Sequence, residues 1–163
     1  YSEEVVKYEN YRGGKFNLGI YSRSLHLAFG TFTGASADGR KSRDPLSNGV
    51  GPTHGRDKKG PTAICNSVKK LENELLTNGL SLILAFHPKS IEKDIFLPLV
   101  RTYFESDGGF QVQFNVVGKE TLCDAQKYPE NHQGLVVRIA GYSVYFTELS
   151  PSAQDEIIAR TEY

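Results

Sequence analysis

Hydrophobic and polar positions follow two rhythms along the chain, and each change of rhythm predicts an element. SLHLAFG, Ser24 to Gly30, alternates with Leu25, Leu27 and Phe29 on one side, which predicts a half-buried strand. Regular pattern then stops. Gly34 to Pro61 is dense in Gly, Pro, Asn, Asp and Ser, residues that favour turns, and reads as a long site loop or a linker. From Thr62, TAICNSVKKLENELL places Ile64, Val68, Leu71 and Leu75 on one helical face, with Asn78-Gly79 as the stop. LSLILAF, Leu80 to Phe86, is a nearly continuous apolar run and predicts a strand covered on both faces.

KSIEKDIFLPLVRTYFES reads as helix, in which Pro98 either makes a kink or begins a second segment. FQVQFNVV, Phe110 to Val117, alternates strictly. Phe110, Val112, Phe114 and Val116 face one way, while Gln111, Gln113 and Asn115 give the strand an amide-lined side. In a plain domain that side faces water. KETLCDAQKY reads as helix and LVVRIA, Leu135 to Ala140, as strand. SPSAQDEIIART closes the chain as a helix with Ser150 as N-cap and Pro151 in the first turn. Strands alternating with helices predict an α/β fold.

Composition narrows the function classes. Nineteen basic and nineteen acidic residues give a formal charge of zero, which removes the electrostatic case for nucleic acid or an anionic membrane as a partner. No apolar run reaches the roughly 18 residues of a membrane span, and YSEEVVKYENYRGG is not a signal peptide. A soluble intracellular protein is expected. The chain lacks methionine and opens on Tyr1, as a processed chain or a piece of a longer one would.

Cys65 and Cys123 lack the spacing of a zinc or redox site, so each is expected to be a buried thiol. His26, His54, His87 and His132 are scattered, and no metal site is expected. GRDKKGPT, Gly55 to Thr62, has the glycine spacing of a phosphate loop but carries Pro61 where lysine is needed, which argues against nucleotide binding. The charges of DGR (Asp38 to Arg40) and GRD (Gly55 to Asp57) read as solvated turn residues.

VVRIAGYSVYF, Val136 to Phe146, poses a different problem, because Gly141 interrupts an otherwise strand-like run. Glycine in a strand marks a bend, a bulge or a close approach. It also has a distinctive chemistry. A hydrogen removed from its alpha carbon leaves an electron shared between the donating amide nitrogen and the accepting carbonyl, and no side chain hinders the planar geometry. Such a carbon must be shielded from water and oxygen and held on a tight turn near another reactive group. A buried strand ending in a Gly-Tyr-Ser turn is expected to supply both.

VVRIAGYSVYF resembles the signature of the glycyl radical enzymes, the pyruvate formate-lyase family. Gly141 matches the radical position, Arg138 the arginine three residues before it, and Tyr142 and Ser143 the residues after it. The resemblance runs through GASADGRKSRDPLSNGVGPTHGRDKKGPTA and on from FQVQFNVV to the C-terminus. HGRDKKG resembles the formate-lyase branch. VQFNVV and RIAGYSVYFTELSPSAQDEIIARTE look more like the glycerol and diol dehydratase and arylacetate decarboxylase branches.

The resemblance implies that residues 1–163 are a C-terminal glycine-radical domain, as a fragment or a separate subunit, forming part of a ten-stranded β/α barrel with Gly141 on an interior loop. It implies no bound cofactor. The radical is installed by a separate activating enzyme that carries an iron–sulfur cluster and uses S-adenosylmethionine. It then passes to a cysteine that becomes a thiyl and attacks a small-molecule substrate, with carbon–oxygen or carbon–carbon cleavage. Neither Cys65 nor Cys123 matches that cysteine's motif, so it is expected on an N-terminal remainder of the enzyme. The alternative is an autonomous cofactor subunit that completes a formate C-acetyltransferase. An anaerobic cytoplasm or a bacterial microcompartment is the implied setting, and the resemblance allows a homodimer of the full enzyme.

Overall fold

The computed structural model describes residues 1–91, 93–105, 109–160 and 162–163. Glu92, Ser106 and Thr161, which the sequence pattern assigns to helices, lie outside the described residues. The chain begins with a short helix α1 (Ser2–Val5) and a second, α2 (Leu25–Thr31), where a strand is expected. The pattern misleads because Leu25 and Phe29 are four apart as well as alternating, so seven residues satisfy both periods. The buried residues are His26 and Gly30, again four apart, while Leu25 and Phe29 are 53% and 55% exposed. Gly30 admits the loop backbone, since a Cβ there would stand 2.5 Å from Asp44 O.

The segment from Gly34 to Gly60 forms turns and bends without helix or strand, as its composition predicts, and Pro61 already belongs to the next helix. Helix α3 (Pro61–Val68) starts with Pro61 in its first turn and ends seven residues before the expected Leu75. Lys70 N–H donates to Ser67 O and Leu71 N–H to Val68 O, three-residue spacings that tighten and close the helix. Leu71 is left partly exposed, and Leu76 takes the core position.

Strand β1 (Leu82–Phe86), helix α4 (Lys93–Glu105) and strand β2 (Val112–Val116) make a βαβ unit, with β1 and β2 parallel and Leu84 opposite Phe114. Helix α4 runs through Pro98 as one element. Helix α5 (Lys119–Lys127) follows, then an antiparallel pair, β3 (Val136–Arg138) and β4 (Ser143–Tyr145), and the last helix α6 (Pro151–Ile158). Ser150 occupies the N-cap of α6, but its hydroxyl pairs with Ser152 Oγ at 3.2 Å and caps no backbone N–H.

Two apolar clusters result. Leu82, Leu84 and Phe86 of β1 pack with Ile64, Cys65 and Val68 of α3 and Tyr103 of α4. Leu122 and Ala125 of α5, Val137, Ile139, Phe146 and Ile157 of α6 form the second, against which Ile83 also packs. The β1–β2 sheet therefore stands between them. On β2 the amides Gln113 and Asn115 are each only 6% exposed, while Val116 is 42% exposed and Phe110, just before the strand, 51%. Gln113 and Asn115 point into the molecule while Gln111 is exposed, contrary to the expectation for a plain domain, because the β3–β4 hairpin lies against the first two and offers backbone groups to bind. Among the described residues no helix is long and apolar enough to cross a membrane.

Candidate functional site: the Gly141 hairpin

The run from Val136 to Tyr145 is a hairpin. Arg138 lies opposite Ser143, and Ile139 N–H donates to Tyr142 O at 3.1 Å, leaving Ala140 and Gly141 as the tip. Gly141 has φ of +84°, a left-handed conformation that L side chains adopt at a cost. Nothing lies within 4 Å of the point where a Cβ would be, so crowding does not require glycine here. Ala140 is buried, whereas Gly141, Tyr142 and Ser143 are exposed. The expected shielding of Gly141 is thus not supplied by the described residues themselves. Their side chains leave the tip facing an open cavity of about 620 Å³, bordered by Tyr21, Arg23, Leu80, Phe110 and Tyr142.

Among the described residues, three buried side-chain amides grip the backbone from Arg138 to Gly141. Gly141 N–H donates to Gln113 Oε1 at 3.0 Å. Asn115 Nδ2 donates to Arg138 O at 2.9 Å while Arg138 N–H donates to Asn115 Oδ1 at 2.7 Å. Asn48 Nδ2 reaches Ile139 O at 3.4 Å, with its own Oδ1 accepting from Ser22 Oγ at 2.7 Å. Neutral amides suit this task, because each supplies a donor and an acceptor without burying a charge. Sequence reasoning saw the amide face of β2, gave it to solvent only for a plain domain, and passed over Asn48. The available signal was amides alternating with apolar residues on a strand beside a wholly apolar one.

The three residues expected to frame the glycine are gathered at the same turn. Arg138 Nη1 donates to Ser143 Oγ at 3.0 Å across the hairpin. The Arg23 guanidinium stands 5.7 Å from the centroid of the Tyr142 ring. Arg23 also has a positive φ of 48°, uncommon for a residue with a side chain.

Beneath the hairpin lies a charged centre with no counterpart in the sequence reading. Glu156 of α6 is 5% exposed and meets His26 Nε2 at 3.3 Å, His54 Nε2 at 3.2 Å and Arg160 Nη2 at 2.8 Å. Burial pushes the Glu156 carboxyl up, but the two histidine rings against it and the adjacent Arg160 charge outweigh it and hold the carboxyl well below the usual range. Arg160 Nη1 then donates to Arg138 O at 3.3 Å, so the centre also touches the hairpin backbone.

The long loop is more fixed than its composition suggests. Arg40 is 5% exposed, contrary to the solvated reading, and donates to the carbonyls of Gly34, Lys41 and Asp44. Hydrogen bonds from Ser36 Oγ, Thr53 Oγ1 and the Arg40 N–H lower the Asp38 carboxyl to about 2. Asp57 accepts from the Tyr163 hydroxyl, and burial together with that carboxylate raises the phenol. Cys65 is buried as expected. Cys123 is exposed on α5, because the inward positions of that helix are Leu122 and Ala125. Among the described residues no cluster of three His, Cys, Asp or Glu side chains could hold a metal ion.

Residues 46–147 match the glycine radical family. A probable dehydratase of Escherichia coli strain K12 is 43% identical over 100% of this chain and 21% of its own length. An indoleacetate decarboxylase of Tractidigestivibacter scatoligenes is 39% identical over 94% of the chain and 18% of its own. The solved structure of the glycerol-bound, B12-independent glycerol dehydratase from Clostridium butyricum matches with a TM-score of 0.91 at 48% identity, covering 100% of this chain and 21% of that one. The chain spans about a fifth of the length of these relatives.

Proposed function

This chain belongs to the glycyl radical enzymes, and from that premise we propose that residues 1–163 are the radical-bearing C-terminal part of a longer lyase of the dehydratase or decarboxylase type. Gly141 stores the radical, and Arg138, Tyr142 and Ser143 frame it. The observation that carries this reading is a glycine at a hairpin tip, free of any neighbour at its Cβ position, with its own amide and those around it held by buried side chains. An alpha carbon so placed can be approached from outside while its backbone stays in register.

The remaining parts follow from the same premise. A separate activating enzyme with an iron–sulfur cluster and S-adenosylmethionine takes one hydrogen atom from the Gly141 alpha carbon. The glycyl radical takes a hydrogen atom from a cysteine on the N-terminal remainder, and the thiyl so formed attacks the substrate. Strands β1 and β2 are neighbours in a ten-stranded barrel, and the open cavity beside Gly141 is the face that the remainder closes. Exposed apolar side chains such as Tyr11, Phe32 and Ile95, at 89%, 88% and 67%, are in keeping with a surface that other parts of an enzyme cover.

Electron paramagnetic resonance on the anaerobic full enzyme, after incubation with an activating enzyme and S-adenosylmethionine, tests the reading. A doublet that collapses on deuteration of the glycine alpha carbon is expected. Silence with an activating enzyme proven on another substrate protein would overturn it.

A further inference from the structure

The amide face of β2 has a use beyond holding the hairpin. Gln113 is the one described side chain hydrogen-bonded to Gly141 itself, and it is buried, with its Nε2 directed to Gln111 Oε1 at 3.3 Å and its Oε1 left to accept from the Gly141 N–H at 3.0 Å. The adjacent Asn115 grips Arg138 and makes no bond to Gly141. β2 therefore carries two amides of separable duty, one for the strand and one for the glycine.

We propose that Gln113 tunes and positions the radical at Gly141, by accepting from the N–H of the nitrogen that shares the unpaired electron. This inference rests on the radical reading of Gly141. An acceptor on an amide N–H draws the proton away and makes the nitrogen a better electron donor, as hydrogen bonds tune the electronics of cofactors elsewhere. Donation to the alpha carbon is the half of the sharing that the carbonyl cannot provide.

Geometry adds a second requirement. At φ of +84° the peptide plane before Gly141 stands across the plane that a three-substituent carbon would share with it. Nitrogen and carbon orbitals align only as φ opens toward the extended value, so the Gly141 amide turns when the hydrogen leaves. Gln113 has two methylenes between backbone and amide and can follow the N–H through that turn. Asparagine, one methylene shorter, cannot reach it from the same strand position.

The test is electron–nuclear double resonance on the activated full enzyme with 15N-labelled glycine, comparing wild type with Gln113→Leu, Gln113→Asn and Asn115→Leu. Both Gln113 variants are expected to show a smaller 15N coupling, a larger alpha-proton splitting and a shorter anaerobic lifetime of the radical. Asn115→Leu is expected to lower thermal stability while leaving the 15N coupling of any radical formed at its wild-type value. A wild-type doublet with couplings unchanged in Gln113→Leu and Gln113→Asn overturns the tuning role and leaves the radical reading intact. An equal shift in Asn115→Leu overturns it too, since general loosening would then suffice. A silent wild type defeats the radical reading itself. Should Gln113→Leu not fold, Gln113→Asn, which keeps a polar group in the buried site, carries the comparison.

Discussion

Asn115 binds the backbone of Arg138 as a neighbouring strand would, giving a hydrogen to its carbonyl at 2.9 Å and taking one from its N–H at 2.7 Å. Asn115 thus joins the parallel sheet to the base of the hairpin, as Gln113 joins it to the tip. In Asn115→Leu the Arg138 N–H loses its partner, at a cost of about 1–3 kcal/mol. The carbonyl suffers less, because Arg160 Nη1 remains 3.3 Å away. Asn115→Asp keeps the acceptor but sets a carboxylate against the Arg138 carbonyl, so it too is expected to destabilise. Denaturant melts of the two variants check both.

Gly141→Ala separates conformation from chemistry. Alanine at φ of +84° costs roughly 1–2 kcal/mol, yet no atom stands within 4 Å to clash with its methyl. The variant is expected to fold with a melting temperature lowered by a few degrees, and to give no glycyl doublet. A wild-type signal from this variant would place the radical elsewhere.

A radical at an exposed carbon also meets oxygen. Gly141 is exposed among the described residues, so air admitted to the activated protein is expected to oxidise its alpha carbon, break the N–Cα bond, and release a short C-terminal piece that carries the oxidised remnant of Gly141 ahead of Tyr142. Intact mass before and after aeration measures this, and Gly141→Ala is expected to stay whole.

The βαβ unit could be read from the sequence because its strands are short apolar or alternating runs and α4 is amphipathic. Helix α2 could not, since Leu25, Leu27 and Phe29 fit either period and the deciding residue, Gly30, is set by a loop backbone fourteen positions on. For the site, the VVRIAGYSVYF run pointed to Gly141, Arg138, Tyr142 and Ser143, and the fold places all four at one turn. What was hidden is everything that reaches the turn from a distance. Asn48, Gln113 and Asn115 are ordinary amides in sequence, and His26, His54, Glu156 and Arg160 meet only through folding. Arg40 was misread for the same reason, since its burial depends on carbonyls of its own loop.

The buried Glu156 predicts an acid limit. Its carboxyl lies below the ordinary 4.5 in the folded protein, so the unfolded chain binds the proton more readily. The stabilisation is therefore complete above about 4.5 and is lost as the pH falls below it. His26, His54 and Arg160 are the groups that face the carboxylate. Glu156→Gln leaves Arg160 without its countercharge and is expected to cost about 3 kcal/mol at neutral pH, in the range for breaking one side of a buried pair. Urea melts from pH 7 to pH 4 are expected to show a decline in wild type and a flatter profile in the variant.

The two cysteines are expected to behave differently from each other and to be dispensable for the radical. Cys123 is exposed, while Cys65 is buried against Ile64, Val68 and Tyr103, and burial raises its thiol above the ordinary value despite the nearby Lys69 charge. Only the thiolate reacts readily, so an alkylating reagent at neutral pH is expected to modify Cys123 within the folded protein and Cys65 only on unfolding. Peptide mass mapping over time distinguishes them. Cys123→Ser is expected to keep both the radical and turnover in the full enzyme, because a thiyl formed on another part of the enzyme needs no thiol here. Cys65→Ala leaves a small void in the first core, so some stability is lost while the radical yield persists. Loss of turnover in Cys123→Ser with the glycyl doublet intact would instead move the reacting thiol into this chain.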